Sequence, residues 1–194
     1  YNLIVAHHPI VFKGLKSLTG RNYVERVVIK AIQHSIAIYA IHTNLDNVID
    51  GVSGKMANMI GLQNLSILLP KENSLKKLFT FVPVNKAEEV RNAIFSAGGG
   101  QIGNYSECSF NAEGTGTFKA GSGADPYVGN IGKQHQEKEL KLEVVIPAYL
   151  EGVIVAGMKA AHPYEEVAYD VVSLSNRHPQ TGSGIIGELV QPMI

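Results

Sequence analysis

The sequence predicts an α/β protein with an α+β insert: a partial parallel-sheet domain interrupted by a ferredoxin-like βαββαβ domain. Three observations carry this. Asn2 to Ala6 and Ile36 to Ile41 are short, β-branched apolar runs separated by a stretch of helical periodicity, and a crossover of that length implies a parallel pair. After Pro70 the composition shifts, and a β-α-β order occurs twice before Leu174. Finally, a polar, turn-rich stretch from Arg177 to Gly184 leads into a new apolar element running from Ile185 to Met193. The expected organisation is residues 1–74 as the amino-terminal part of the first domain, 75–176 as the insert, and 177–194 as the return.

Each element follows from its residues. The first strand ends at His7-His8-Pro9, because Pro9 cannot donate to an inner ladder. Tyr23, Val24, Val27, Val28, Ala31 and Ile32 form a helical stripe, and Asn22 with Glu25 three positions on resembles a capping box. The second strand ends in His42-Thr43-Asn44-Leu45-Asp46. Ser53 to Ile60 reads as a short helix stopped by Gly61, and Leu65 to Leu69 as a third strand. In the insert, Leu78 to Val84 reads as a strand and Asn85 with Glu88 as a second cap. Ala87, Val90, Ala93, Ile94 and Ala97 give a helix face that ends at Gly98-Gly99-Gly100. Gln101 to Phe110 and Leu140 to Ile146 read as strands, Pro147 suits a helix start, and Glu166 to Leu174 closes the insert. Ten of the 20 glycines fall between Gly98 and Gly132, which predicts a hairpin and flexible loop there.

Composition narrows the function. With 17 Lys+Arg against 17 Asp+Glu the formal charge is zero, which argues against nucleic-acid binding through bulk charge. The single cysteine, Cys108, excludes an intrachain disulfide and points to a cytoplasmic home. No apolar run approaches the ~20 residues of a membrane span. No initiator methionine opens the chain, and an apolar element begins close to its end, so a fragment is expected.

The chemistry-bearing residues sit after strands. Ligand sites in parallel α/β sheets lie beyond the carboxyl ends of the strands, where His7-His8 and the His42 to Asp46 segment both fall. Two imidazoles and a carboxylate on one edge make an open site for zinc, iron, manganese or nickel. Other candidates read as structural. His34 sits near a helix end, and His162-Pro163-Tyr164-Glu165-Glu166 forms a turn between helix and strand. His135 is solvated, His178 is a linker residue, and Cys108 is a strand residue. The glycines do not spell a phosphate loop, since Gly132-Lys133 is followed by Gln134 where Ser or Thr is required. No Gly-x-Ser-x-Gly elbow occurs.

Ala6-His7-His8-Pro9-Ile10-Val11-Phe12 and Ala40-Ile41-His42-Thr43-Asn44-Leu45-Asp46 resemble the amino-terminal motifs of the Nif-three-like dinuclear metal-centre family, known in bacteria as GTP cyclohydrolase type 2 homologues. Ala161 to Asp170 resembles the marker of the PII/CutA-like domain inserted in longer members, and Gly182 to Leu189 the return into the metal domain. The resemblance implies His7 and His8 as ligands of different ions, Asp46 as the bridging carboxylate, and His42 close by as a supporting group or weak ligand. It implies two divalent ions per subunit in the complete protein, with a carboxyl-terminal His and Glu that have no counterpart before Ile194. It also implies a trimer-based homohexamer, with an edge near Gln101 pairing between subunits, and a metal-dependent hydrolase acting on a nucleotide such as GTP. The alternative is a non-enzymatic metal-binding or regulatory ring-shaped assembly.

Overall fold

The computed structural model describes residues 1–191. The chain divides into two compact units: Tyr1–Pro70 together with the chain from Gln180 on, and Lys71–Pro179.

The first unit opens with β1 (Leu3–Ala6), α1 (Tyr23–Gln33) and β2 (Ala37–Ala40). β1 and β2 pair in parallel from Leu3 opposite Ala37 to Ala6 opposite Ala40, as the crossover length requires. The cap of α1 forms as expected: the Glu25 N–H donates to Asn22 Oδ1 at 2.9 Å. The Glu25 carboxylate is buried and accepts from the N–H and hydroxyl of Thr19, both at 2.8 Å, and from Asn22 Nδ2 at 2.8 Å. One side chain thereby pins the loop before α1. The helical stripe is wider than what it covers, because Tyr23 and Ile32 lie on the exposed side.

After β2 a six-residue 3-10 turn, His42–Asn47, leads into α2 (Val52–Met59) and β3 (Leu62–Pro70). β3 runs longer than the Leu65 to Leu69 core of the motif. It pairs antiparallel with β8 (Gly182–Leu189), with an irregularity between Gln63 and Ser66. β8 is the apolar element expected at the end of the chain; it begins earlier than Ile185, and the expected continuation past Gln191 lies outside the described residues. β8 also braces the 3-10 turn. Ser183 Oγ donates to Asn47 Oδ1 at 2.9 Å, and Asn47 Nδ2 donates to the Thr43 carbonyl at 2.9 Å.

The second unit has the ferredoxin-like order: β4 (Leu75–Pro83), α3 (Ala87–Ser96), β5 (Phe110–Lys119), β6 (Gln134–Pro147), α4 (Glu151–Ala161) and β7 (Tyr169–Ser173). The sheet is antiparallel in the order β5-β6-β4-β7. Alternation along β4 and β6 puts Leu78, Val82, Leu142, Val144 and Ile146 against Val90, Ile94, Ile154 and Met158 of the helices, forming the core. The opposite face carries Phe79, Phe81, Glu139, Lys141 and Glu143.

Four local expectations are corrected here. Gln101 to Phe110 is not a strand: Ile102 and Tyr105 close a tight turn, and β5 begins only at Phe110. The glycine-rich stretch expected as a hairpin and flexible loop does supply the first arm of a hairpin, β5, but that arm is a ten-residue strand rather than loop. At Gly116 the Glu139 carboxylate occupies the space a Cβ would take, 2.1 Å from Oε2. Asn85 does not cap α3, since a 3-10 turn over Val84–Lys86 precedes the helix and no side chain caps it. The last strand of the insert starts at Tyr169 rather than Glu166, because His162 to Val167 fold as a turn.

Candidate metal centre

The parallel β1-β2 pair places His7 and His42 at adjacent strand ends. The ladder continues past both strands: the Ile41 N–H donates to the Ala6 carbonyl at 2.9 Å and the His42 N–H to the His7 carbonyl at 2.8 Å. His42 has φ +40°, in the left-handed region. That conformation is strained for a residue with a Cβ, and here it turns the chain sharply from β2 into the 3-10 turn.

Three imidazoles meet at this edge. The ring centres of His7 and His8 are 4.6 Å apart, those of His7 and His42 5.8 Å, and those of His8 and His42 5.7 Å. Phe12 lies beside His8, 6.3 Å between ring centres. Two imidazoles on one tetrahedral ion, at about 2.1 Å from metal to nitrogen, would have ring centres about 5 Å apart. The spacing and the donor chemistry therefore fit a divalent ion. Asp46 sits four residues after His42 in the same turn and is half-buried. Asp46 forms no ion pair with the three rings, and among the described residues no three His, Cys, Asp or Glu side chains already converge as a metal cage. His42 stands about 1 Å farther from His7 and His8 than they stand from each other.

The other candidates have structural employment. His162 is buried. Its Nδ1 accepts from the Tyr164 N–H at 3.1 Å, so Nε2 carries the proton and donates to the Phe81 carbonyl at 3.0 Å. Burial pushes its pKa below the ordinary value of 6.5, against the opposing pull of the Phe81 carbonyl and Glu139. His135 is not simply solvated: Nε2 is 2.9 Å from Glu137, and the ring lies 5.3 Å from Phe118. Cys108 lies before β5 rather than in a strand, its N–H donating to the Gly100 carbonyl at 2.8 Å. Among the described residues no helix is long and apolar enough to cross a membrane.

Sequence reasoning missed one feature. A cleft of about 720 Å³ opens on the uncovered face of the second unit, with Glu139, Tyr164, Tyr127 and Phe118 in its walls. The signal lay in Phe110, Ala112 and Phe118, which keep one parity across the intervening glycines and so mark one face of a strand.

The chain belongs to the Duf34/NIF3 family (NGG1p interacting factor 3), whose model matches residues 1–194. It is 44% identical over 192 residues to the "GTP cyclohydrolase 1 type 2 homolog" of Halalkalibacterium halodurans, covering 98% of this chain and 52% of that protein. It is 40% identical over 193 residues to the protein of the same description from Bacillus subtilis, covering 99% of this chain and 52% of the relative. A solved Bacillus cereus protein related to NIF3 superposes with a TM-score of 0.74 at 44% identity, covering 98% of this chain and 50% of that one. The chain spans about half the length of the curated relatives it matches.

Proposed function

We propose that the strand ends of the first unit hold divalent metal ions and that the protein is a metal-dependent hydrolase of nucleotide-like substrates. The observation that carries this reading is the meeting of His7, His8 and His42 at one carboxyl-terminal sheet edge, with ring centres 4.6 to 5.8 Å apart. His7 and His8 would be the ligands and Asp46 the carboxylate serving them both, with His42 an additional imidazole at the same edge. Zinc, iron, manganese and nickel all suit this donor set. A bound ion supplies Lewis-acid polarisation of the substrate and activates water for attack.

The chain's own residues do the rest. The β1-β2 ladder fixes the backbone of His7 and His42, so the rings share one location before any ion arrives. The Ser183–Asn47–Thr43 hydrogen bonds hold the turn that presents Asp46. The relatives, described as homologues of GTP cyclohydrolase 1 type 2, supply the first substrate to try, GTP. The reading also takes the protein as a cytoplasmic homo-oligomer, a trimer-based hexamer, which light scattering tests directly.

The deciding experiment is GTP turnover by metal-loaded protein. Asp46→Asn is expected to lower the rate at least ~10-fold. Unchanged turnover in that variant removes the hydrolase reading. Silence across a nucleotide panel, in protein that keeps its metal, transfers support to the non-catalytic metal-binding or regulatory assembly.

A further inference from the structure

His42 and Asp46 both stand in one 3-10 turn, His42–Asn47, and none of its six residues is buried. Such turns rarely run this long, because their hydrogen bonds are poorly aligned. With no core of its own, this one needs an outside hold if it is to keep Asp46 in one place. Asn47 supplies the first part of that hold. Its Nδ2 donates to the Thr43 carbonyl at 2.9 Å, and its Oδ1 accepts from the Ser183 hydroxyl at 2.9 Å. The two bonds fix the amide one way round: turned over, Oδ1 would face the Thr43 carbonyl, acceptor against acceptor. Thr43 follows His42 and Asn47 follows Asp46, so this amide ties together the neighbours of both chemistry-bearing side chains.

The second part comes from far along the chain. Ser183 lies 136 positions from Asn47, on β8, the strand by which the chain returns to the first unit. The residues just before Ser183 meet the exit of the turn through the backbone. Val48 forms an antiparallel bridge with Thr181, and the Ile49 N–H donates to the Gln180 carbonyl at 3.1 Å. β8 is itself seated on β3, with Pro70 opposite Gly182 and Leu69 opposite Ser183. The approach there is close: a Cβ on Gly182 would lie 2.3 Å from the Leu69 carbonyl oxygen, so a side chain could enter only if the backbone moved. The β3–β8 ladder thus sets where the Ser183 hydroxyl stands, and that hydroxyl holds the Asn47 amide.

We propose that Asn47 and Ser183 are positioning residues of the metal edge, through which the seating of β8 sets the affinity of the edge for a divalent ion. This rests on the metal-binding reading above. Neither side chain is a ligand, and neither carries charge, so both act through geometry alone. Loss of either widens the range of positions open to Asp46 and weakens the grip on the ion, as loss of the groups that orient metal ligands does in general. The effect is reciprocal by linkage: an ion that prefers the closed turn also resists the opening of β8.

The test titrates zinc into the whole chain, stripped of metal, in competition with a chromophoric chelator. It also records the visible spectrum of the cobalt-loaded protein, which reports the arrangement of donors around the ion. Asn47→Ala is expected to weaken zinc at least ~10-fold and to alter the cobalt spectrum. Ser183→Ala, at an exposed position, is expected to weaken zinc ~5-fold, the worth of one neutral hydrogen bond, and keeps the test decisive if Asn47→Ala does not fold. Ser183→Thr keeps the hydroxyl and should restore both affinity and spectrum. Zinc should slow amide exchange along β8 in the unaltered protein, and about half of that protection should be lost in Ser183→Ala. Zinc affinity and cobalt spectrum unchanged in Ser183→Ala, or a loss that Ser183→Thr fails to restore, overturns the positioning role and leaves the metal-binding reading standing. An unaltered protein that holds neither zinc nor cobalt removes that reading and this proposal with it.

Discussion

Replacing His162 with alanine should unfold the second unit at markedly lower denaturant, and the size of the effect follows from two hydrogen bonds. The imidazole holds the Phe81 carbonyl at 3.0 Å and the Tyr164 N–H at 3.1 Å, at a position only 7% exposed. Alanine removes both partners and leaves two backbone groups short of water, each costing about 1–3 kcal/mol. A destabilisation of about 3 kcal/mol is expected, part of it recovered if water enters. With a urea m-value of about 2 kcal/mol/M, the midpoint should fall by about 1.5 M. The assay is urea unfolding followed by far-UV circular dichroism at pH 7.5, with the m-value fitted and not assumed. Its pH dependence is a second check. Burial depresses the His162 pKa, so the unfolded chain takes up the proton first as pH falls. Stability from this residue is fully present above about 6.5 and is lost as pH falls from there through the folded value. The alanine variant should lack that part of the slope. A midpoint shift below ~0.3 M at unchanged m, or an identical pH slope in both proteins, would refute the buried double hydrogen bond as the reason for the histidine.

Other perturbations test separate parts of the account. Gly51→Ala should disturb the turn that presents Asp46, since a Cβ would lie 1.7 Å from the Leu45 carbonyl oxygen; metal retention should fall while the circular dichroism of the second unit's unfolding step is unchanged. Thr80→Val, at a fully buried position whose hydroxyl donates to the Ala168 carbonyl at 3.0 Å, should cost about 1 kcal/mol in the same urea assay. Glu25→Ala should free the loop from Ser17 to Asn22, read as faster amide exchange there. In the native protein the Thr19 hydroxyl and N–H hold the Glu25 carboxyl below its ordinary value of 4.5, so the loop's order should be kept above about that pH and lost on further acidification.

How much of this was legible in the sequence depends on which forces set each element. The β1-α1-β2 unit was readable because its signals are local: apolar runs, a helical stripe, and Asn22 with Glu25. The two histidine motifs were readable as neighbours because a parallel crossover puts successive strand ends on one edge. That His42 comes as close to His7 as the structure shows was not readable, since it depends on the positive φ at His42 and on the ladder bond between its N–H and the His7 carbonyl. The hairpin in the glycine-rich stretch was expected, but its first strand was placed too early, at Gln101 to Phe110, because glycine is a poor strand former in isolation. The Glu139 side chain, reaching from β6, the neighbouring strand, fills the space beside Gly116. His162 was correctly taken as part of a turn, but its two backbone partners belong to different elements and no local pattern announces them. The cleft is likewise assembled from β5, β6 and two loops, so no single segment carried its signature.

The central claim is that His7 and His8 hold divalent metal, and metal content measures it without reference to any substrate. Protein stripped with chelator, incubated with a mixture of zinc, iron, manganese and nickel salts and desalted should retain divalent metal by elemental analysis. The His7→Ala/His8→Ala double variant, folded by circular dichroism, should keep less than about a tenth of that amount. Metal content equal in the two proteins, or none in the unaltered one, would contradict the account.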